Sequence, residues 1–184
     1  VVSKPWIEKY LPKNTSEILG QQKAVQLLTD FVKGFTHKNK QKCCIVYGPI
    51  GSGKTSAVVA LAHMLNLELV EMNASDFRDK TSMEQFIGTA IKQRSLFYQS
   101  KLILVDELDG LSGTKDRGAV SELANLVSES AFPIVCTLED PFDSKFSDLR
   151  KKAVMIEFST LDYRTIKNNI VRITAGSAKN RFNR

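Results

Sequence analysis

The run Tyr47-Gly48-Pro49-Ile50-Gly51-Ser52-Gly53-Lys54-Thr55-Ser56 constrains the architecture of this chain more than any other. From Gly48 to Thr55 it fits G-x-x-x-x-G-K-[ST], the pattern of a phosphate-binding loop. Such a loop needs a strand ahead of it and a helix behind it. Cys43-Cys44-Ile45-Val46-Tyr47 is an apolar run of strand length, and Val58, Leu61, Ala62 and Leu65 recur at helical spacing. That context separates the motif from a glycine-rich turn with an exposed lysine. Gly48, Gly51 and Gly53 let the backbone bend so that its N–H groups surround phosphate oxygens. The helix N-terminus adds partial positive charge, Lys54 a full one, and the Thr55 hydroxyl suits Mg²⁺. Pro49, Ser52 and Ser56 belong to the same expected contact set.

With 184 residues, 42% of them apolar, the chain can bury a full core in one domain. A net charge of +6 permits a nucleic-acid partner and equally serves solubility. The three cysteines include the adjacent pair Cys43-Cys44 inside the expected strand, without zinc spacing; reduced core thiols are the expectation. No apolar run approaches the ~20 residues of a membrane span, and no secretory signal opens the chain. The expected setting is a soluble intracellular protein with no membrane partner.

The opening segment, residues 1–20, is punctuated by Pro5 and Pro12, which discourage helix. Trp6, Ile7, Tyr10 and Leu11 are too apolar for a free tail; they pack into the core or against an adenine ring, and the residues alone leave both open. Val25, Leu28, Phe31, Val32 and Phe35 form a helical stripe broken near Gly34, and 36–42 read as a loop with solvated lysines. Residues 67–72 read as a second strand ending in a polar turn. Ser82 and Gln85 give a capping-box start for a helix carrying Phe86, Ile87, Ala90 and Ile91. Leu96, Phe97 and Tyr98 follow in a linker. Leu102-Ile103-Leu104-Val105 is an all-apolar strand, 110–118 a glycine-rich loop, and Val120, Leu123, Leu126 and Val127 a helix. Residues 133–137 and 153–158 read as the fourth and fifth strands. Ile166, Ile170 and Ile173 mark one final helix, and 174–184 read as a frayed basic tail. Alternating strands and helices predict an α/β fold with a parallel five-stranded sheet flanked by helices.

The third strand runs straight into Asp106-Glu107-Leu108-Asp109. A carboxylate at the end of a buried parallel strand faces the crevice where such sheets bind ligands. Asp106 is placed to hold Mg²⁺ and Glu107 to orient an attacking water. Three acids beside a buried strand repel one another without a cation, which favours this reading over helix capping. Adjacent acids of this kind belong to phosphate-loop ATPases that act through multimeric contacts.

Several segments together resemble the clamp loaders of archaeal and eukaryotic replication, the replication factor C family within the AAA+ ATPases. Pro5-Trp6-Ile7-Glu8-Lys9-Tyr10-Leu11-Pro12-Lys13 is similar to that family's opening box, although Leu11 stands where arginine is usual. The box closes over the adenine, so the resemblance places Tyr10 and Pro12 at the base. Met72-Asn73-Ala74-Ser75-Asp76-Phe77-Arg78 and Asp106-Glu107-Leu108-Asp109-Gly110 resemble two further boxes. Asp109-Gly110-Leu111-Ser112-Gly113 with Asp116-Arg117-Gly118 looks like the large subunit. Small subunits carry Ser-Arg-Cys after the fourth strand, whose arginine reaches a neighbour's ATP; here Lys152 takes that position.

The resemblance implies ATP or ADP and Mg²⁺ as ligands, ATP hydrolysis, and an AAA+ sheet with the start of a truncated helical lid. Residues 1–160 would form the nucleotide-binding domain and 161–184 the partial lid helix and basic tail. Implied partners are clamp-loader small subunits, the sliding clamp and primer–template DNA, in an archaeal cytoplasm or a eukaryotic nucleus. Leu96, Phe97 and Tyr98 fall where loaders of this family touch the clamp, though three large apolar residues also suit a core. One departure bears on catalysis. The family's γ-phosphate sensor is an asparagine near the end of the fourth strand, and Glu139 stands there instead. Rival readings are a subunit that binds nucleotide structurally without turnover, an AAA+ initiator or helicase loader, and a stand-alone nucleic-acid-binding module.

Overall fold

The computed structural model describes residues 5, 9–74, 80–92, 100–111 and 116–179, side chains at 80, 82, 83, 116, 117 and 175–179 apart. Five apolar runs become β1 (Cys43–Tyr47), β2 (Glu68–Asn73), β3 (Lys101–Asp106), β4 (Ile134–Leu138) and β5 (Ala153–Glu157). All four pairings are parallel, in the order β2-β3-β4-β1-β5, with Ile45 opposite both Cys136 and Met155 and Leu104 opposite Val135. Helix α1 (Gln22–Lys33) precedes the strands, and between and after them lie α2 (Lys54–Met64), α3 (Lys80–Lys92), α4 (Asp116–Glu129), α5 (Ser147–Lys151) and α6 (Tyr163–Lys179). None of the described helices is long and apolar enough to cross a membrane.

Both faces of the sheet are covered, which is why its central strands carry continuous apolar runs, Ile45-Val46, Leu102-Ile103-Leu104-Val105 and Ile134-Val135-Cys136, rather than apolar residues at alternate positions. Cys43, Ile45, Ile103, Val105, Ile134 and Cys136 pack on one side with Ile87 and Ile91 of α3 and Val120 and Leu123 of α4. Cys44, Val46, Leu102, Leu104, Val135 and Ile156 pack on the other with Val25 and Leu28 of α1 and Val58 and Leu61 of α2. Helix α2 buries Ala57, Val58, Ala60, Leu61 and Ala62, more than one stripe, because it lies over the middle of the sheet. Cys43, Cys44 and Cys136 are fully buried free thiols.

The strand order decides where chemistry can sit. β4 lies between β1 and β3, so the loop after β1 and the acidic turn after β3 flank the end of β4 at one rim of the sheet. Ligands of open parallel sheets bind at such a rim.

Four local expectations need correction. In the opening segment, where the prolines were expected to discourage helix, the Lys9 N–H donates to the Pro5 carbonyl at 3.0 Å, a bond of helical spacing; a proline on the accepting side forfeits nothing by lacking its own N–H. Ser82 lies inside α3 rather than capping it. The tail is helical as far as Lys179, and α6 opens on Asp162, whose Oδ1 accepts the Thr165 N–H at 2.7 Å. Lys42 is not simply solvated: its ammonium donates to the Ser128 carbonyl at 3.0 Å, near the C-terminal end of α4, where the helix dipole favours a cation.

Candidate functional site

The phosphate-binding loop is pinned from below before any ligand is considered. Phe158 N–H donates to the Tyr47 carbonyl at 2.7 Å, so the segment leaving β5 runs against the start of the loop. Gly48 sits at φ +140°, and a Cβ there would lie 2.0 Å from the Phe158 carbonyl oxygen. Only glycine fits so close an approach. Gly53, at φ +94°, turns the chain into α2. The Lys54 ammonium folds over its own loop, donating to the carbonyls of Gly48 at 2.7 Å and Pro49 at 3.0 Å.

Thr55 joins this loop to the acidic strand end. Its hydroxyl lies 2.8 and 3.1 Å from the two Asp106 carboxylate oxygens. Asp106 is nine-tenths buried and also accepts from the Thr137 hydroxyl, at the end of β4. The same Thr137 oxygen accepts the Glu107 N–H at 3.0 Å. The ends of β3 and β4 thus meet through one threonine that reading the sequence did not single out. Its signal was a polar residue closing an apolar buried strand.

Glu107 has left-handed backbone angles, φ 53° and ψ 50°, which cost a non-glycine residue about 1 kcal/mol or more. The kink ends β3 and leads into a short 3₁₀ turn, Leu108–Gly110. The Glu107 carboxylate accepts from the Asn73 amide at 3.0 Å, and Asp109 accepts the Glu139 N–H at 2.6 Å. Each acid of the cluster therefore has at least one hydrogen-bond donor: Thr55 and Thr137 for Asp106, Asn73 for Glu107 and the Glu139 N–H for Asp109. Burial, with a smaller contribution from the Asp106 charge, pushes Glu71 above the usual carboxylate range.

Among the described residues, two cavities that open on the loop bear on its chemistry. The first, about 490 Å³, is lined by Gly51, Gly53, Lys54, Thr55, Ser56 and Glu107, with Thr137 and Glu139 across from them. The second, about 360 Å³ and mostly apolar, lies between Pro49–Ser52 and the side chains of Leu161, Ile166, Ile170 and Ile173 on and before α6. Ile50 borders both and is 81% exposed. The first holds lysine, hydroxyl and carboxylate groups suited to phosphate and a hard cation, and the Thr55 and Asp106 oxygens fit Mg²⁺, which prefers oxygen ligands. The second has flat apolar walls of the kind that take a ring.

Tyr10 and Pro12 line neither cavity; the Lys9 ammonium lies 5.3 Å from the Tyr10 ring centre. Lys152 donates to the Ala124 carbonyl at 2.8 Å, toward the C-terminal end of α4. Leu96, Phe97 and Tyr98 lie outside the described residues, as do Ser75 to Arg78.

Known proteins give this geometry a family. Residues 44–179 match the family model described as ATPase family associated with various cellular activities (AAA). The chain is similar to the replication factor C large subunit of Nanoarchaeum equitans, 44% identical over 169 residues, covering 92% of this chain and 39% of the relative. It is 43% identical to that of Staphylothermus marinus, over 88% of this chain and 38% of the relative. Against that of Methanococcus vannielii the identity is 37%, over 88% and 33%. The chain thus spans two fifths or less of the length of these relatives. With its phosphate loop, acidic strand end and parallel sheet, the chain belongs to the AAA family of ATPases.

Proposed function

We propose that this chain is the ATP-binding and ATP-hydrolysing part of a clamp-loader large subunit, which loads a sliding clamp onto primer–template DNA together with small subunits. The observation that carries the ATPase reading is the Thr55–Asp106 bond, which joins the phosphate loop to the acidic strand end. The similarity to replication factor C large subunits supplies the setting. Residues 1–160 would bind nucleotide and 161–184 begin a lid.

The triphosphate would occupy the larger cavity and the base the apolar cleft beside α6. Lys54 would exchange the Gly48 and Pro49 carbonyls for phosphate oxygens, a stronger bond because both partners are charged. Thr55 and Asp106 would hold Mg²⁺, which when bound supplies charge neutralisation at the phosphates. Glu107 would orient the attacking water, with the Asn73 amide fixing one of its oxygens. Thr137 steadies both acids at once, through the Asp106 side chain and the Glu107 backbone. Lys152 has no guanidinium and already serves the end of α4, so a second copy of this chain would not supply the arginine that completes the site, which would come from a small subunit.

Phosphate release by the chain alone and with small subunits tests this. The expectation is near-background turnover alone and a rise on the order of 10³-fold or more with the partner arginine. Brisk turnover by the isolated chain would overturn the clamp-loader reading. Glu139 favours a second reading, in which nucleotide is held without turnover. Glu139 lines the phosphate cavity, and a carboxylate there accepts hydrogen bonds where an asparagine amide would donate one. Copurified nucleotide with no release in the presence of partners would support that one.

A further inference from the structure

Gln21 stands at the N-cap of α1, with φ −125° and ψ 26°. Polar side chains at this position ordinarily turn back onto the first turn of their own helix. The Gln21 amide makes no such bond. It is buried, 4% exposed, and reaches two segments distant in sequence. Its Nε2 donates to the Ser52 carbonyl at 3.2 Å and to the Ser159 carbonyl at 2.6 Å, while its Oε1 accepts the Ser159 N–H at 3.2 Å.

Both amide hydrogens are therefore used, and the pairing with Ser159 is two-point, which fixes orientation as well as distance. Ser52 belongs to the phosphate loop. Ser159 directly precedes Thr160 and Leu161, which with α6 make the far wall of the apolar cleft. The neighbouring Gly20 backs the same segment. It sits at φ +80°, and a Cβ there would meet Leu161 Cδ2 at 2.8 Å and Thr165 Cγ2 at 3.0 Å. One dipeptide thus touches both walls of the cleft, the loop wall by hydrogen bonds and the α6 wall by bonds and close packing.

We propose that Gln21 is a positioning residue that sets the spacing between the phosphate loop and the α6 wall, and so governs how much the base of a bound nucleotide contributes to affinity. This rests on the reading that the cleft takes the base. A residue that merely supported the loop would affect phosphate and base alike. One that spaces the cleft affects the base alone.

The test compares binding of ATP and of inorganic tripolyphosphate, by calorimetry, in the wild-type protein and in Gln21→Met. The methionine keeps the length of the side chain and removes its hydrogen bonds. ATP affinity should fall about tenfold, the scale of one to two lost hydrogen bonds, with tripolyphosphate affinity held within about twofold. Gln21→Asn keeps a carboxamide in the buried site but is too short to span both segments. It should show the same split, and it decides the matter should the methionine variant not fold. Equal weakening of both ligands, or unchanged ATP affinity, would overturn the proposal. Wild-type protein that binds tripolyphosphate as tightly as ATP would instead overturn the base reading of the cleft, a result separate from any effect of Gln21.

Discussion

The two ends of the proposed nucleotide site are built from different materials. At the phosphate end, strand ends and backbone meet through hydrogen bonds: Thr55, Asp106, Thr137, Glu107 and Asn73 are linked in sequence, and Gly48 lies against Phe158. At the base end the walls are apolar side chains left half open, with Ile166 and Ile170 at 44% and 56% exposure. The contrast teaches where folding and binding share the same atoms. In the proposed placement, phosphate groups would meet a surface that the fold itself must make, whereas the base would meet a surface that the fold can do without.

Gly48→Ala should break the comparison most sharply. The added carbon would require the β1 and β5 strand ends to part, at a cost of about 3 kcal/mol or more. Urea unfolding measures this, and a loss under about 1 kcal/mol would show that the phosphate end is not part of the core. Thr137→Val comes next. Valine keeps the shape and leaves the Glu107 N–H unpaired and Asp106 one donor short, a destabilisation of about 2 kcal/mol. Stability equal to wild type would mean that the strand ends are held by packing alone.

Glu139→Asn probes charge at the phosphate end without touching the fold. Removing an anion from the cavity wall should favour ATP over ADP by about 1 kcal/mol or less, since solvent and Lys54 dilute the repulsion. Competition between the two nucleotides reads this directly, and an unchanged preference would mean that the carboxylate does not act on the γ-phosphate. Ile170→Ala gives the smallest shift and the cleanest contrast. Stability should stay within about 0.5 kcal/mol, with ATP weakened about threefold and tripolyphosphate unaffected. A stability loss above 1 kcal/mol would place the α6 wall in the core after all.

The same contrast explains what could be read from the sequence. The phosphate loop and the Asp106-Glu107 pair are contiguous runs, and four of the five strands were legible as apolar stretches because both sheet faces are covered, the edge strand β2 instead through the partial alternation of its apolar residues with Glu68 and Glu71. Thr137 escaped notice because a β-branched residue at a strand end is also what a strand prefers. Gln21 was unreadable for a different reason: its partners lie 31 and 138 residues away, and nothing local distinguishes it from a polar helix start. The cleft wall on α6 was foreshadowed only as a helical stripe of Ile166, Ile170 and Ile173, whose destination depends on where β5 delivers the chain. Ser82 misled because a capping-box pattern is a local signal, and α3 already includes that residue.

The three thiols in the sheet have a use unrelated to nucleotide. Cys43 and Cys136 hold their sulfurs 3.7 Å apart across β1 and β4, and Cys44 faces the opposite layer. The hydrogen bond to Cys136, reinforced by burial, pushes the Cys43 thiol up; burial does the same for Cys44. Thiol reagents attack the thiolate, so in the folded protein the three sulfurs are buried out of reach, and Cys43 and Cys44 are held toward the thiol form as well. Labelling by such a reagent then waits for the central strands to separate, and its rate becomes a clock for sheet opening. With no dye or mutation introduced into the core, that clock can be read with and without ATP to show how far ligand at the rim slows the opening of strands beneath it.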